Sequence, residues 1–167
     1  MKSFSLVQVI ILSLILFANY SHSSSFNVGP VGGLLGKEFV DKLPDSQRIC
    51  GINIRYGNRI DAIQLKVLDD FGNTFFKNKH GGNRGSLTFF SLGPTEYIKK
   101  IEGFYNRRRS NRVFGLRFHT NLKISPWYGT QSGRYFVFDA PTGYSIQGIG
   151  GYSGDELDAL SAFIRKN

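Results

Sequence analysis

The chain has 167 residues, 41% hydrophobic and 20% charged, which is enough for one domain with a sizeable core and too little for two. Twenty Gly, 15 Phe and 8 Tyr favour turns and strands over a helical bundle or coiled coil. A single Cys excludes an internal disulfide framework and any zinc site built from several thiolates. The formal net charge of +9 makes anionic partners worth seeking.

The chain opens with Met1 and Lys2, an apolar run from Phe4 to Ala18, and Ser21-His22-Ser23 with small residues at the cleavage-defining places. This reads as a secretory signal peptide over residues 1–23, because the run is too short for a membrane span of about 20 residues. The remaining domain, 24–167, loses only Lys2 and keeps a net charge of +8. It is expected outside the cytosol, or in the lumen of a secretory granule.

Short apolar segments then recur between Gly-rich or polar punctuation: Ile49 to Tyr56, Ile63 to Leu68, Leu87 to Leu92, Ile98 to Tyr105, Val113 to Phe118, Tyr135 to Phe138, Tyr144 to Ile149 and Leu157 to Ile164. This is an all-β rhythm. Cys50, Ile52, Ile54 and Tyr56 alternate with Gly51, Asn53 and Arg55, as half-buried antiparallel strands require. Leu157 to Ile164 also fits a helical period, but eight residues make a short helix, so it is assigned to a strand. Cys50 reads as a small buried hydrophobe with no chemistry of its own.

A repeat organises these segments. Gly32 to Gly36, Gly81 to Gly85 and Gly129 to Gly133 each hold two Gly four residues apart, and they begin 49 and then 48 residues after one another. Gly57-Asn58-Arg59-Ile60-Asp61 is matched at the same period, 97 residues on, by Gly154-Asp155-Glu156-Leu157-Asp158. The pattern implies one sheet unit used three times around a pseudo-threefold axis, with corresponding loops at one end. In the middle unit the period falls on Asn106 to Ser110, where three Arg replace the pattern and Ser110 stands in place of the acid.

Gly without a Cβ lets a ligand approach main-chain N–H groups, so each Gly-x-x-x-Gly loop offers a donor cradle. In Gly-x-x-x-Asp the carboxylate can turn into the same hollow as a bidentate acceptor. That mixture suits vicinal hydroxyls, which donate and accept at once, as in sugars. An Asp beside Gly more often closes an Asx-type turn on its own backbone, but duplication at the repeat period argues for more than that.

With these loops in view the chain resembles the jacalin-related lectins. The resemblance rests on Gly29-Pro30-Val31-Gly32-Gly33, Ile60-Asp61-Ala62-Ile63, His80-Gly81-Gly82, Glu96-Tyr97-Ile98, Leu116 through Asn121, Tyr128-Gly129, Phe136 and Gly154 through Leu160. It implies a β-prism I fold, three four-stranded antiparallel sheets with pseudo-threefold symmetry. It also implies metal-independent, non-catalytic binding of mannose- or glucose-type glycans, with no cofactor. Carried over by motif, the first site comprises Gly36, Gly154, Asp155, Glu156, Leu157 and Asp158. Backbone amides are the donors there, and Asp158 supplies the carboxylate. A second site, as in banana-type members, would use Gly85, Gly57, Asn58, Arg59, Ile60 and Asp61. Leu35 stands where the family often has Gly. Animal zymogen-granule lectins resemble this plan, pairing such a site with a basic surface.

Arg107, Arg108, Arg109 and Arg112 crowd the middle unit's loop, at the end that carries the sugar loops. They form a candidate patch for sulfated glycosaminoglycans, acidic polysaccharides or anionic membrane surfaces. Nucleic acid is not an expected partner, because no ordered series of aromatic and basic residues marks a strand-tracking groove. Single-site affinity is expected on the order of millimolar, so two sites or a homodimer would supply useful avidity. Two rival classes remain. One is a small secreted basic hydrolase using His80, His119 and Glu96; the other is a structural granule or matrix protein acting through the Arg cluster.

Overall fold

The computed structural model describes residues 25–106 and 112–167. Arg107, Arg108 and Arg109 of the basic cluster, and the signal-like segment 1–23, lie outside the described residues. Among the described residues there are thirteen strands and no helix: β1 (Ser25–Gly32), β2 (Lys37–Lys42), β3 (Gln47–Tyr56), β4 (Ile60–Asp69), β5 (Thr74–Phe76), β6 (His80–Gly81), β7 (Ser86–Ser91), β8 (Ile98–Asn106), β9 (Arg112–Thr120), β10 (Tyr128–Gly129), β11 (Arg134–Asp139), β12 (Tyr144–Ser153) and β13 (Leu157–Lys166).

Three hairpins form the centres of three antiparallel sheets. In the first sheet β12 and β13 are flanked by β2 and β1; in the second, β3 and β4 by β7 and by β5 with β6; in the third, β8 and β9 by β11 and β10. The N-terminal strand therefore pairs with the C-terminal one, Phe26 opposite Ile164 and Val31 opposite Leu160, and the first sheet draws on both ends of the domain. The first and third sheets touch through one backbone pair, Ile146 with Ile98.

The alternation in the long strands explains the assembly. Ile52, Ile54 and Leu65 of the second sheet, Ile101, Leu116 and Phe118 of the third, and Ile146, Leu160 and Ile164 of the first are buried in one common core. On the second and third sheets the opposite residues, such as Arg55, Gln64 and Arg117, are partly exposed, as the period of two in a pleated strand demands, whereas β13 is buried on both faces, Ala159 and Ser161 as well as Leu160 and Ile164. Aromatic rings join the second and third sheets: Phe90 stacks on Phe118 at 5.9 Å, and Tyr56 meets Tyr128 edge-on at 5.3 Å. Full burial of such side chains contributes roughly 1.5–3 kcal/mol each.

The structure departs from the sequence reading at Cys50. The register of β3 against β4 slips between Ile49 and Gly51, so Ile49 takes the inward place and Cys50 is only half-buried. A bulge inserts one residue, and that residue loses its side of the alternation. Desolvation still pushes the Cys50 thiol up, opposed by Lys66 and Arg48.

Candidate functional site

Three backbone hydrogen bonds fix how the glycine loops correspond. Gly33 N–H donates to Asp158 O at 2.9 Å, Gly82 N–H to Asp61 O at 2.9 Å, and Thr130 N–H to Phe114 O at 2.8 Å. Each ties a Gly-x-x-x-Gly loop to the start of the second strand in its sheet's central hairpin. The hairpin tips match too: Gly154 N–H donates to Glu156 O at 3.1 Å and Gly57 N–H to Arg59 O at 3.0 Å, closing the same tight turn.

This equivalence corrects the middle unit. Its counterpart of Asp61 and Asp158 is Phe114, not Ser110, because Asn106 and Phe114 are eight residues apart where Gly57 and Asp61 are four. The strict 49-residue period fails there because the loop is longer, and the third position is apolar.

At the first site the Gly-rich loop and the Gly-x-x-x-Asp loop meet. Gly36 has φ +83°, and a Cβ there would lie 2.5 Å from the Ser153 carbonyl oxygen and 2.7 Å from the Gly154 nitrogen. Only Gly allows this approach and this conformation together. A Cβ on Gly154 would lie 3.7 Å from an Asp158 carboxylate oxygen and 3.8 Å from the Gly36 Cα. Asp158 and Gly36, 122 positions apart in sequence, thus border one hollow. Asp155 is exposed at its rim, while its backbone oxygen abuts Gly82 of the neighbouring unit. Leu157 is buried and anchors the loop in the core.

Asp158 is 8% exposed. Burial raises its carboxyl above the usual aspartate range, and Glu156 and Asp155 push the same way, against Arg112 and the Gly154 amide. A carboxylate that is desolvated without full compensation gains from a ligand that donates hydrogen bonds to it. Beside it a cleft of about 580 Å³ runs between β2 and the 78–81 segment, bordered by Lys37, Glu38, Asp41, Asn78 and His80 as well as Gly154.

The second site has the same frame and a different charge balance. Gly85, at φ +68°, approaches the Tyr56 carbonyl as Gly36 approaches Ser153, and a Cβ there would lie 2.4 Å from an Asp61 carboxylate oxygen. Thr130 Oγ1 donates to Asn58 O at 2.8 Å, so the neighbouring unit braces this loop. Ile60 is fully buried beneath it. Arg59 Nε lies 3.8 Å from Asp61 Oδ1, and the guanidinium continues to the carboxylate of Glu156.

Glu156 is the residue whose role the sequence concealed. Its side chain is buried and paired with both Arg59 and Arg112, the latter at 2.7 Å. Arg59, Arg112 and Glu156 each stand two residues before the equivalent Asp61, Phe114 and Asp158, so the three related positions converge as an Arg–Glu–Arg cluster binding all three hairpin tips. Arg112 is therefore engaged in this cluster and is not a free member of the anionic-ligand patch. The signal was present in the spacing, but only once the longer middle loop is allowed for.

The residues considered for acid–base chemistry are held by separate partners. His80 meets Asp41 at 2.9 Å and stacks on Phe39 at 3.8 Å. His119 pairs with Glu102, whereas Glu96 accepts from Thr120 at 2.6 Å and from the Gly93 amide at 2.9 Å. Burial pushes Glu102 up, but hydrogen bonds from Tyr135, His119 and Arg117 outweigh it and hold its pKa at about 2. That carboxylate is fully used by the fold; Asp158 is not.

Three antiparallel sheets built on three related hairpins, with glycine loops gathered at one end, define a β-prism I protein of the lectin type. The chain belongs to the family of the jacalin-like lectin domain, whose family model matches residues 28–163. It is 31% identical over 137 residues to Jacalin-related lectin 17 of Arabidopsis thaliana, covering 80% of this chain and 22% of that relative's length. Among solved structures it is similar to a mannose-binding jacalin-related lectin from Ananas comosus, at 26% identity and TM-score 0.75, covering 86% of this chain and 99% of that one. It is also similar to Malaysian banana lectin, at 27% identity and TM-score 0.76, covering 86% and 100%.

Proposed function

We propose that this protein is a secreted, metal-independent lectin that binds mannose- or glucose-type glycans at the Gly36–Asp158 hollow. The observation that carries the reading is the incompletely compensated Asp158 carboxylate beside the Gly36 and Gly154 backbone. The carboxylate accepts from two vicinal sugar hydroxyls, and N–H groups of Gly36, Asp155, Glu156 and Leu157 donate to the hydroxyl and ring oxygens. Each sugar oxygen then meets a partner of the opposite hydrogen-bonding sense, which offsets the loss of its water. The mannose-binding Ananas comosus lectin supports the sugar class. The 580 Å³ cleft gives room for a second sugar residue along β2.

The Gly85–Asp61 hollow is a second, weaker site of the same kind, since Arg59 already faces its carboxylate. Titration of the purified protein with methyl α-mannoside by calorimetry, alongside galactoside, tests the reading. Binding of mannoside that disappears in Asp158→Ala with no loss of thermal stability supports it; equal mannoside binding by that variant refutes it.

A further inference from the structure

We propose that the outer face of the second sheet carries a separate binding site for a sulfated saccharide residue, in a pocket between Arg55 and Lys79. The cavity has about 180 Å³, walled by Asn53, Arg55, Gln64, Lys79, Asn83 and Leu87 over a floor of Ala62 and Ile63. Two cations and three amides line it, and no carboxylate does.

Elsewhere the described cations near acids are paired, as Arg59, Arg112 and Arg117 show. Arg55 is held differently: Nη1 donates to Asn83 O at 3.0 Å and Gly85 O at 3.2 Å, which fixes the guanidinium without neutralising it. Lys79 donates to the Asn83 side-chain oxygen. Neither forms an ion pair among the described residues. The amides are equally fixed, Asn53 Nδ2 donating to Gln64 Oε1 at 3.1 Å and Gln64 Nε2 to Lys77 O at 2.9 Å.

A guanidinium keeps further N–H donors in a planar fork after two contacts are made, and an ammonium keeps two more. Donors held in place beforehand cost little to order when an oxyanion arrives. The glycan hollows at the prism end contain a carboxylate that accepts from hydroxyls. This pocket lacks one, so a neutral sugar has no strong acceptor here and the ligand must bring the negative charge. Leu87, 54% exposed, offers an apolar wall to a pyranose face, which a bare inorganic anion cannot use. The row of cations also continues. Lys66 lies on the same face four residues beyond Ala62, about 13 Å along the strand, and its ammonium sits 5.6 Å and 5.8 Å from the Phe76 and Phe89 ring centres. A second sulfate on a linear saccharide would meet it.

The probes are a sulfated hexasaccharide, the same hexasaccharide desulfated, and sodium sulfate, followed by calorimetry and by the side-chain amide signals of Asn53 and Gln64. The sulfated form is expected to bind and to shift both signals, with the desulfated form inert. Leu87→Asp places a carboxylate in the pocket at an exposed position and is expected to weaken binding about tenfold or more; Lys79→Ala is expected to weaken it about fivefold. Unchanged affinity in both variants overturns the site and directs attention to another basic surface. Sodium sulfate binding as tightly as the hexasaccharide overturns the saccharide assignment. Asp158→Ala is expected to leave sulfated binding intact, so failure of this site and failure of the mannose site are separately visible.

Discussion

The hairpin tips of the first and second sheets place the same backbone around an aspartate, yet they leave the two carboxylates in different company. Asp158 shares its hollow with Gly36 and Gly154 and is kept from full compensation by burial and by its acidic neighbours. Asp61 has Gly85 against it and Arg59 alongside. At the third tip Phe114 replaces the acid altogether. A repeated frame therefore guarantees geometry and not function; the side chain two residues before the acid decides whether the carboxylate is available.

The comparison breaks most sharply with Asp158→Ala, which is expected to lower mannoside affinity by about 100-fold, the loss of two charge-assisted hydrogen bonds. Asp61→Ala should change the calorimetric titration far less, and equal losses would erase the distinction between the tips. Next in size is Glu156→Ala. It leaves Arg59 and Arg112 facing each other without their shared carboxylate, and a cost of about 2 kcal/mol is expected in urea unfolding, reduced by the partial exposure of both guanidinium groups.

Arg59→Ala sharpens the contrast from the other side. Freeing Asp61 should raise occupancy of the second hollow, seen as a gain of about threefold in affinity for the second mannoside equivalent. A drop would mean that Arg59 helps to hold sugar. The smallest effect concerns pH. Because the Asp158 carboxyl is raised, mannoside binding should fall on acidification with a midpoint above its ordinary 3.8. Unfolding is not the cause through this group. A raised aspartate contributes stability that is present below its ordinary pKa and lost as pH climbs through the folded value. Glu102 behaves oppositely, contributing stability above 4.5 that disappears as pH falls through about 2. Glu102→Gln should therefore flatten the acid limb of the unfolding curve.

The eight apolar segments read from the sequence coincide with strands, Leu92 alone lying one residue past β7; six are in the central hairpins, which must alternate or run apolar, and two in the flanking β7 and β11. The strands that escaped notice are β1, β2, β5, β6 and β10. These flank the hairpins, are short or largely exposed, and need little apolar signature. Cys50 was misplaced because a bulge shifts alternation without changing composition. The residues of the proposed sugar hollows were visible as spaced glycines and acids. The Glu156 pairing and the Arg55 pocket were not, since each joins side chains from loops or strands that only the folded sheet brings together.

The sequence alone determined the class of fold, the threefold repeat and the two loops that carry an aspartate, because strand periodicity and glycine spacing are local properties of the chain. Tertiary structure decided that Phe114 completes the third position, that Arg112 serves Glu156 rather than an outside anion, and that Arg55 and Lys79 share an acid-free pocket. Charge pairing depends on distance in space, and a list of residues does not contain that distance.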